Sequence, residues 1–194
     1  MSEYREMLDD ATASVAEASL ERVKLLLATV PGGVYKAVGS ALKRAGDTAR
    51  TQAAKIAAAE YTITQATFRK HVRYINHFDS SKTEVTFGFK GYVIPLIEFD
   101  TKHSKDGRVS TKVKRGNVMS TLDHAFTAQV YGHTGVHERE GLKRTPIEQL
   151  YGPSTAHMMY EKEETSDKLS DIAIETFDKR IEHEIARILN GYGV

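Results

Sequence analysis

The sequence contains neither cysteine nor tryptophan among its 194 residues. The lack of cysteine excludes disulfide bonds, cysteine-ligated zinc and a cysteine nucleophile. Long apolar runs are also missing: residues 25–28, Leu-Leu-Leu-Ala, are typical of the longest ones, whereas a membrane-spanning helix needs about 20 apolar residues. Residues 1–6 have neither the basic nor the apolar region of a signal peptide. The sequence therefore predicts one domain that is made in a cytoplasm and has no membrane partner.

Charge is nearly balanced overall but is unevenly distributed along the chain. The net charge is +1, and charged residues make up 27% of the sequence, which is usual for a globular protein. Residues 100–115 carry six Lys or Arg against two Asp, and residues 161–184 carry nine Asp or Glu against four Lys or Arg. Segments of opposite charge suit head-to-tail contact between copies. The alternative is that both segments are solvated faces without a partner.

The N-terminal third is predicted to form two helices. Apolar residues recur every three or four positions over residues 7–30, and Pro31 with the two glycines after it ends this pattern. A second helix is predicted over residues 34–59, with one face that is mostly alanine, so that another helix can approach closely. We therefore expect a helical hairpin arm over residues 1–60, covered by a sheet or a neighbouring subunit, and an α+β body over residues 61–194.

A short helix is predicted next, with Thr64 as its N-cap and Tyr74 as its last residue. Basic residues are mixed with aromatic ones in this helix: Phe68, Arg69, Lys70, His71, Arg73 and Tyr74. Such a mixture occurs in nucleic-acid-binding segments. An amphipathic connector with one solvated side explains the same residues, and no known nucleic-acid-binding module surrounds them.

Alternating apolar and polar residues predict an antiparallel sheet of four to five strands in the middle of the chain. The predicted strands are residues 82–90, 92–99, 108–114 and 124–131, with a return strand that begins at Val136. Gly132-His133-Thr134-Gly135 is the predicted hairpin turn before that return strand. Pro95 cannot donate a hydrogen bond to a ladder, so we expect it at an edge or a bulge.

The clearest predicted element is a long C-terminal helix. Thr165 or Ser166 is its expected N-cap, and Asn190-Gly191 is its expected end. Its apolar stripe has three- and four-residue spacing: Ile174, Phe177, Ile181, Ile185 and Ile188. The predicted fold class is α+β, with an N-terminal helical hairpin, an antiparallel sheet of four to five strands, and the long C-terminal helix packed on the sheet.

The sequence lacks a recognisable catalytic or cofactor-binding motif. His133 and His137 have a zinc-ligand spacing, but that spacing aligns two rings on a helix and not across a glycine turn. Asp123-His124 has no serine in a Gly-x-Ser-x-Gly elbow to act on. Neither a Gly-x-Gly-x-x-Gly nor a Walker pattern occurs. We therefore expect no enzymatic activity, no catalytic residues, no metal and no cofactor.

Residues 144–155 form an unusual connector. Pro146 favours an extended conformation for the residue before it, and Ile147 and Leu150 would share one side of a single helical turn. Gly152-Pro153 would end that turn, and Ser154 or Thr155 would cap a new helix. We expect Ile147 and Leu150 to point inward and Gly152 to need an unusual backbone conformation. The predicted interface and organising motif is Pro146, Ile147, Leu150, Tyr151, Gly152 and Pro153.

Four segments within residues 92–158 resemble the minor tail protein Z family of lambda-like phages and prophages. Residues 146–154 resemble its Pro-Ile-x-x-Leu-Tyr-Gly-Pro-Ser segment, and residues 94–99 resemble its Ile-Pro-Leu-x-x-Phe strand. Residues 109–116 resemble its Val-x-x-Lys-Val-Lys-x-Gly strand, and residues 132–136 resemble its Gly-His-x-Gly-Val turn. The order of the four segments also agrees. His137-Glu138-Arg139-Glu140 departs from the aromatic-rich strand end that is more usual in the family.

The resemblance implies a structural virion protein, a minor tail or tail completion protein at the head-proximal end of the tail, where tail and head join. Its implied partners are copies of itself in a ring, together with tail terminator, tail tube and head–tail connector proteins. It would be assembled in the bacterial host cytoplasm and located in the tail or neck of the virion. The alternatives are a nucleic-acid-binding protein that uses its basic segments and a tail assembly factor that leaves before the particle matures.

The basic residues of the segment 100–115 are a second predicted site. We expect it to meet an acidic neighbour or DNA passing the ring, and solvation without a partner is the alternative. Lys112 and Lys114 are expected to share one face of a strand. The predicted basic surface is Lys102, Lys105, Arg108, Lys112, Lys114 and Arg115.

Overall fold

A computed structural model of the chain describes residues 17–79, 84–105, 107–130, 132–141 and 143–191. The helices are α1 (Glu17–Leu26), α2 (Gly33–Glu60), α3 (Gln65–His71), α4 (Thr155–Tyr160) and α5 (Glu163–Leu189). The strands are β1 (Val72–Asp79), β2 (Glu84–Gly91), β3 (Val93–Pro95), β4 (Asp100–His103), β5 (Val109–Lys112), β6 (Ser120–Leu122), β7 (Ala125–Val130), β8 (His133–Arg139), β9 (Ile147–Gln149) and β10 (Tyr151–Ser154). A 3₁₀ turn (Leu96–Glu98) follows β3. None of the helices in the described part is both long and apolar enough to cross a membrane.

The predicted α+β class is confirmed, with antiparallel strands and a long C-terminal helix that packs on strands. The single sheet of four to five strands is replaced by four small sheets among the described residues: β1-β2, β3-β10, β4-β5-β6 and β7-β8-β9. One interruption has a local cause. The strand predicted over residues 92–99 ends at Pro95, which has no N–H to donate to a ladder, and the chain turns through Leu96–Glu98.

Two compact units divide the chain, and each is built from separate segments. The first contains residues 1–53, 73–90 and 159–194, and the second contains residues 54–72 and 91–158. This grouping differs from the division into residues 1–60 and 61–194 expected from the sequence, because α5 belongs to the same unit as α1 and most of α2. The predicted beginning of the first helix, at Met7, lies outside the described residues.

In the first unit, α1 packs against α5. Leu20, Val23 and Leu27 are each no more than 1% exposed, which matches their three- and four-residue spacing. At the surface, the Arg22 guanidinium lies 3.1 Å from the Glu182 carboxylate. Both side chains are at least half exposed, so this ion pair contributes little to stability. Burial of the apolar stripe is the main attraction between the two helices.

The predicted apolar stripe of α5 is mostly confirmed. Phe177, Ile181, Ile185 and Ile188 are buried, whereas Ile174 is only half-buried. The helix ends as predicted: Asn190 is the C-cap, and Gly191, with φ of +80°, donates its N–H to the Ile188 carbonyl at 3.0 Å. Its burial accounts for the strong sequence signal, because the stripe faces the interior along nearly the whole helix.

The predicted N-cap of α5 is wrong. The helix begins three or four residues earlier than predicted, at Glu163, and Lys162 occupies the cap position without a side-chain hydrogen bond. Ser166 lies inside the helix, where its hydroxyl donates to the Glu163 carbonyl at 2.8 Å. Glu163 and Glu164 occupy the first turn, where their negative charges favour the positive end of the helix dipole. The carboxylates of Glu163 and Glu164 therefore stabilise the N-terminus of the helix, where we expected a hydroxyl cap.

The alanine face of α2 is buried, as its spacing predicts. Ala37, Ala41, Ala45, Ala49 and Ala53 follow each other at intervals of four, and none of them is more than 1% exposed. Residues four apart lie on one side of a helix. The helix has 28 residues and is therefore about 42 Å long at about 1.5 Å per residue. Gly32, with φ of +67°, forms the turn that precedes it.

The predicted short helix of the second unit is confirmed at its beginning. Thr64 is the N-cap of α3 and accepts a hydrogen bond from the Thr67 N–H at 3.0 Å. The helix ends at His71, however, and the chain continues directly into β1, so Tyr74 belongs to a strand. Phe68, the buried residue of α3, is 0% exposed and anchors the helix.

The alternation predicted for residues 108–114 is confirmed in β5, where Val109 and Thr111 are buried and Ser110 and Lys112 are half-exposed. The hairpin near Gly132 is also confirmed, but it is tighter than predicted. Val130 pairs with His133, so the return strand begins three residues before Val136. Gly132 has φ of +81°, a conformation that glycine adopts without strain.

We predict that Phe177→Ala in α5 lowers the free energy of unfolding by about 3–5 kcal/mol, because the substitution empties a fully buried site. Leu189→Ala is the matched control in the same helix, since Leu189 is 53% exposed. Denaturant unfolding followed by circular dichroism measures both effects. Equal losses for the two variants would contradict the packing role of the stripe.

Candidate interaction surfaces

The organising motif forms strands and not the predicted helical turn. Ile147–Gln149 is β9, which pairs with β8 through Arg139 opposite Ile147 and His137 opposite Gln149. The Leu150 N–H then donates to the Val136 carbonyl at 2.8 Å. The three-residue spacing of Ile147 and Leu150 fits one helical turn, but the partner strand β8 satisfies the backbone hydrogen bonds instead. Tertiary pairing therefore overrides the local pattern.

Strand β10 joins the motif to β3. Tyr151 lies opposite Pro95, Ser154 lies opposite Val93, and the register shift between these pairs is a bulge in β10. Beside the sheet, the Leu96 N–H donates to the Leu150 carbonyl at 3.0 Å. Pro95 therefore lies in a two-stranded sheet beside a bulge, as its missing N–H predicts.

Gly152 is required for space and not for an unusual backbone conformation, so that expectation is wrong. It is not among the glycines with positive φ. A Cβ at this position would lie 2.5 Å from Cε2 and 2.7 Å from Cζ of Phe99. Such distances are far inside van der Waals contact, because nonbonded carbon atoms prefer separations of about 3.5–4.0 Å. The β10 backbone and the Phe99 ring can approach this closely only because residue 152 has no side chain.

One face of the β3–β10 sheet carries exposed apolar side chains. Val93, Pro95 and Tyr151 share this face, because alternate residues of a strand and directly opposite residues point to the same side. Val93 is 39% exposed and Tyr151 is 49% exposed, while Ile94 on the other face is fully buried. The Tyr151 hydroxyl donates to Gln149 Oε1 at 3.1 Å. Tyr151 thus has a fixed orientation and an exposed ring.

The remaining members of the motif are placed less deeply than expected. Ile147 and Leu150 are half-buried, so both point only partly inward. Pro146 is exposed and follows a cis peptide bond after Thr145. Because Leu150 is half-buried, its replacement by alanine should cost less than the about 2–5 kcal/mol of a fully buried leucine.

Five of the six basic residues divide into two groups with different environments, and the sixth, Lys112, is half-buried in β5 opposite Asp100. The first group projects from the β4–β5 hairpin, where Lys102, Lys105 and Arg108 are exposed. The turn is closed by hydrogen bonds from the Ser104 N–H to the Arg108 carbonyl at 2.9 Å and from the Gly107 N–H to the Ser104 carbonyl at 3.0 Å. This hairpin is a structured element, although the sequence predicted no strand over residues 100–107.

The second group, Lys114 and Arg115, contacts the end of α2. The Arg115 Nε donates to the Ala58 carbonyl at 2.8 Å, and its backbone N–H donates to the Glu60 carbonyl at 2.8 Å. Lys114 Nζ lies 5.6 Å from the centre of the Tyr61 ring, in cation–π range. Arginine and lysine are favourable at a helix C-terminus, whose carbonyls lack partners within the helix. These two residues are therefore structural, and the six basic residues do not form one surface.

A charged cluster that the sequence did not indicate links α3 to the 3₁₀ turn. The Glu98 Oε1 lies 3.2 Å from Lys70 Nζ and 3.3 Å from His71 Nε2. Partial burial alone would raise the pKa of the Glu98 carboxyl. Hydrogen bonds and positive charge from Lys70 and His71 outweigh this effect, so the pKa of Glu98 lies below its ordinary value of 4.5. The three residues lie in two distant parts of the sequence, and no motif connects them.

The two histidines with zinc-like spacing are in different environments. His133 is exposed at the beginning of β8, whereas His137 is only 4% exposed and its Nε2 atom has no hydrogen-bond partner among the described residues. The His137 ring lies 6.2 Å from the Phe126 ring, which is also in contact with the Arg139 guanidinium. Among the described residues, no group of three or more His, Cys, Asp or Glu could hold a metal ion together.

Comparisons of the chain with protein-family models, curated proteins and solved structures found no match.

We predict that Gly152→Ala destabilises the protein by about 1–3 kcal/mol, because the Phe99 ring or the β10 backbone must move to admit a methyl group. Gly141→Ala is the control, since a Cβ there would meet nothing within 4 Å and its φ is not positive. Thermal unfolding measures both variants. Adding Phe99→Leu to the Gly152→Ala variant should recover part of the loss, and strictly additive effects would argue against the contact.

We also predict that Glu98→Gln reduces stability at neutral pH and makes it less sensitive to acid. The pKa of Glu98 is lowered by folding, so ionised Glu98 stabilises the folded state above the unfolded-state pKa, and this contribution is lost as pH falls through the folded-state pKa. The stability difference between wild type and variant should therefore be largest above about pH 5 and vanish in stronger acid. Urea unfolding at several pH values tests this, and a difference independent of pH would contradict it.

Proposed function

We propose that this protein is a structural component of a tailed phage or prophage particle, a minor tail or tail completion protein at the head-proximal end of the tail. It acts by binding its neighbours and not by catalysis. The observation that carries the proposal is spatial. The four segments that resemble the minor tail protein Z family lie in one compact unit, and direct contacts connect them.

The contacts between these segments are specific. Residues 94–99 pair with residues 146–154 through the β3–β10 ladder and through the fit of Gly152 against Phe99. Residues 146–154 in turn join residues 132–136 by the hydrogen bond from the Leu150 N–H to the Val136 carbonyl. Segments that resemble a family by chance need not contact one another. Segments that together form one structural unit must do so. This mutual dependence supports the resemblance.

The segment of residues 109–116 is connected to the same unit. The Thr111 hydroxyl lies 3.3 Å from the Thr101 hydroxyl, which donates to the Leu96 carbonyl at 2.8 Å. At the other end of the segment, Arg115 holds the last carbonyls of α2. Packing within the unit thus accounts for these residues of the motif, and the exposed side chains beside it are the candidates for binding partners.

Exposed side chains of this unit provide two surfaces for such partners, the apolar face of the β3–β10 sheet and the basic β4–β5 hairpin. The apolar face with Val93 and Tyr151 suits a neighbouring protein, because an aromatic ring with a polar tip is a frequent anchor in interfaces. The proposed partners are copies of the same chain in a ring, the tail terminator, the tail tube and the head–tail connector. The proposed location is the tail or neck of the virion, after assembly in the bacterial host cytoplasm.

Nucleic-acid binding is a second candidate function, and the exposed β4–β5 hairpin with Lys102, Lys105 and Arg108 is the observation that favours it. Lys70 is a weaker candidate for the same role, because it already forms an ion pair with Glu98.

Mass analysis of purified virions tests the proposed function. The protein should be present in particles from the producing strain and absent from particles of a strain that lacks its gene. Presence in lysates together with absence from mature particles would identify an assembly factor instead. A salt-dependent electrophoretic shift of DNA, with no protein in the virion, would support the nucleic-acid-binding alternative.

We predict that Tyr151→Ala blocks the joining of tails to heads while changing the stability of the isolated protein by no more than about 1 kcal/mol, because the ring is half-exposed. Tyr35→Ala is the control, since Tyr35 is also largely exposed and lies on α2 in the other unit. Electron microscopy of lysates should show separate heads and tails only for Tyr151→Ala. A large fall in melting temperature with normal joining would show that Tyr151 has a structural role.

A further inference from the structure

We infer that the β4–β5 hairpin of one copy binds the outer face of α5 in a second copy. The inference rests on the proposed function, in which copies of the chain contact one another, and it names the two surfaces that meet. The purified protein is enough to test it. It depends on charge complementarity between two surfaces that the same chain carries, one in each of its compact units.

The basic surface is accessible and structurally supported. Lys102 and Lys105 are exposed and form no ion pair with any described residue. The ladder places Lys102 opposite Ser110 and Lys112 opposite Asp100, so Lys102 and Lys112 are diagonal neighbours on one face. Diagonal neighbours in an antiparallel pair lie about 7–8 Å apart. The hairpin therefore presents Lys102 on the same face as the half-buried Lys112 and its partner Asp100, and its backbone hydrogen bonds hold this arrangement.

The acidic surface lies on the first half of α5. Glu164, Asp167 and Asp171 are exposed, follow each other at intervals of three and four, and form no ion pair with a described residue. Such residues share one side of the helix, and those four apart are separated by about 6 Å along its axis. The side is distinct from the buried stripe that contains Leu169 and Phe177.

Contact between different surfaces of two copies is head-to-tail, and repetition of such a contact produces a closed ring or an open filament. A second copy is favoured over nucleic acid because the same chain supplies an exposed acidic surface of complementary charge. Residues 100–112, the hairpin itself, also contain no Phe, Tyr or Trp for base stacking. The attraction should depend on salt, because the screening length is about 30 Å at 0.01 M ionic strength and about 8 Å at 0.15 M.

Charge reversal in the full-length protein tests the inference. Wild type should associate in a concentration-dependent manner at low ionic strength in sedimentation velocity, and less at physiological ionic strength. The variants Lys102→Glu/Lys105→Glu and Asp167→Lys/Asp171→Lys should each weaken self-association at least about tenfold, because each reversal turns attraction into repulsion. Lys43→Glu/Lys55→Glu is the matched control for the hairpin variant, with the same change in net charge at two exposed positions of α2.

The mixture of the two charge-reversal variants is the decisive sample. Each variant then carries the surfaces that complement the other, so the mixture should associate although neither variant does so alone. A monomeric wild type at low ionic strength, a mixture that remains monomeric, or a control that loses association equally would overturn the inference. Loss of DNA binding in the hairpin variant with unchanged self-association would also overturn it, in favour of nucleic acid. Presence of the protein in virions would leave the proposed function intact in every one of these cases.

Discussion

The close approach of the Gly152 backbone to the Phe99 ring is the constraint on which the second unit depends. Only a hydrogen atom fits between them, since a Cβ would come within 2.5 Å of the ring. The ring fixes where β10 can lie, and β10 then determines the pairing of β3 and the direction in which the chain enters α4. Apolar packing and backbone hydrogen bonding meet at this point, because the ring lies against the strand that forms the ladder.

Positive charge has two distinct roles in this protein. At the end of α2, Arg115 satisfies carbonyl groups that the helix itself cannot pair. Near α3, Lys70 and His71 hold the Glu98 carboxylate and keep it ionised at lower pH than usual. Lys102 and Lys105 of the β4–β5 hairpin form no ion pair with any described residue. A list of basic residues in the sequence therefore overstates the surface available for binding, and the structure reduces it to the hairpin.

Local signals in the sequence predicted much of the fold. The Thr64 cap of α3, the apolar stripe and glycine end of α5, and the alternation in β5 all depend on neighbouring residues, and all were predicted correctly. The errors have more than one cause, and the error in the connector has a tertiary one. The helical turn expected at Ile147 and Leu150 became a strand because β8, from a different part of the chain, pairs with it. Pairing between distant segments leaves no periodic signal.

The candidate surfaces were predictable only in part. The composition of residues 100–115 revealed their positive charge, but not that Lys114 and Arg115 contact α2. The importance of Gly152 was expected for a conformational reason, whereas the cause is steric and lies in Phe99. The Glu98 cluster and the burial of His137 were not anticipated, because each depends on a contact between residues far apart in the sequence. A single sequence contains no pattern that brings such residues together.

The pairing of β3 with β10 also has a consequence for how the protein folds. The two strands enclose residues 96–150, so their ladder closes a long loop of chain. The entropy cost of loop closure rises with the logarithm of loop length, and contacts between distant residues slow folding. Hairpins within the loop, such as β4–β5 and β7–β8, shorten the free chain when they form first. On this basis the β3–β10 sheet, with its exposed Tyr151, assembles late, and a nascent chain gains this surface only after the enclosed sheets have formed.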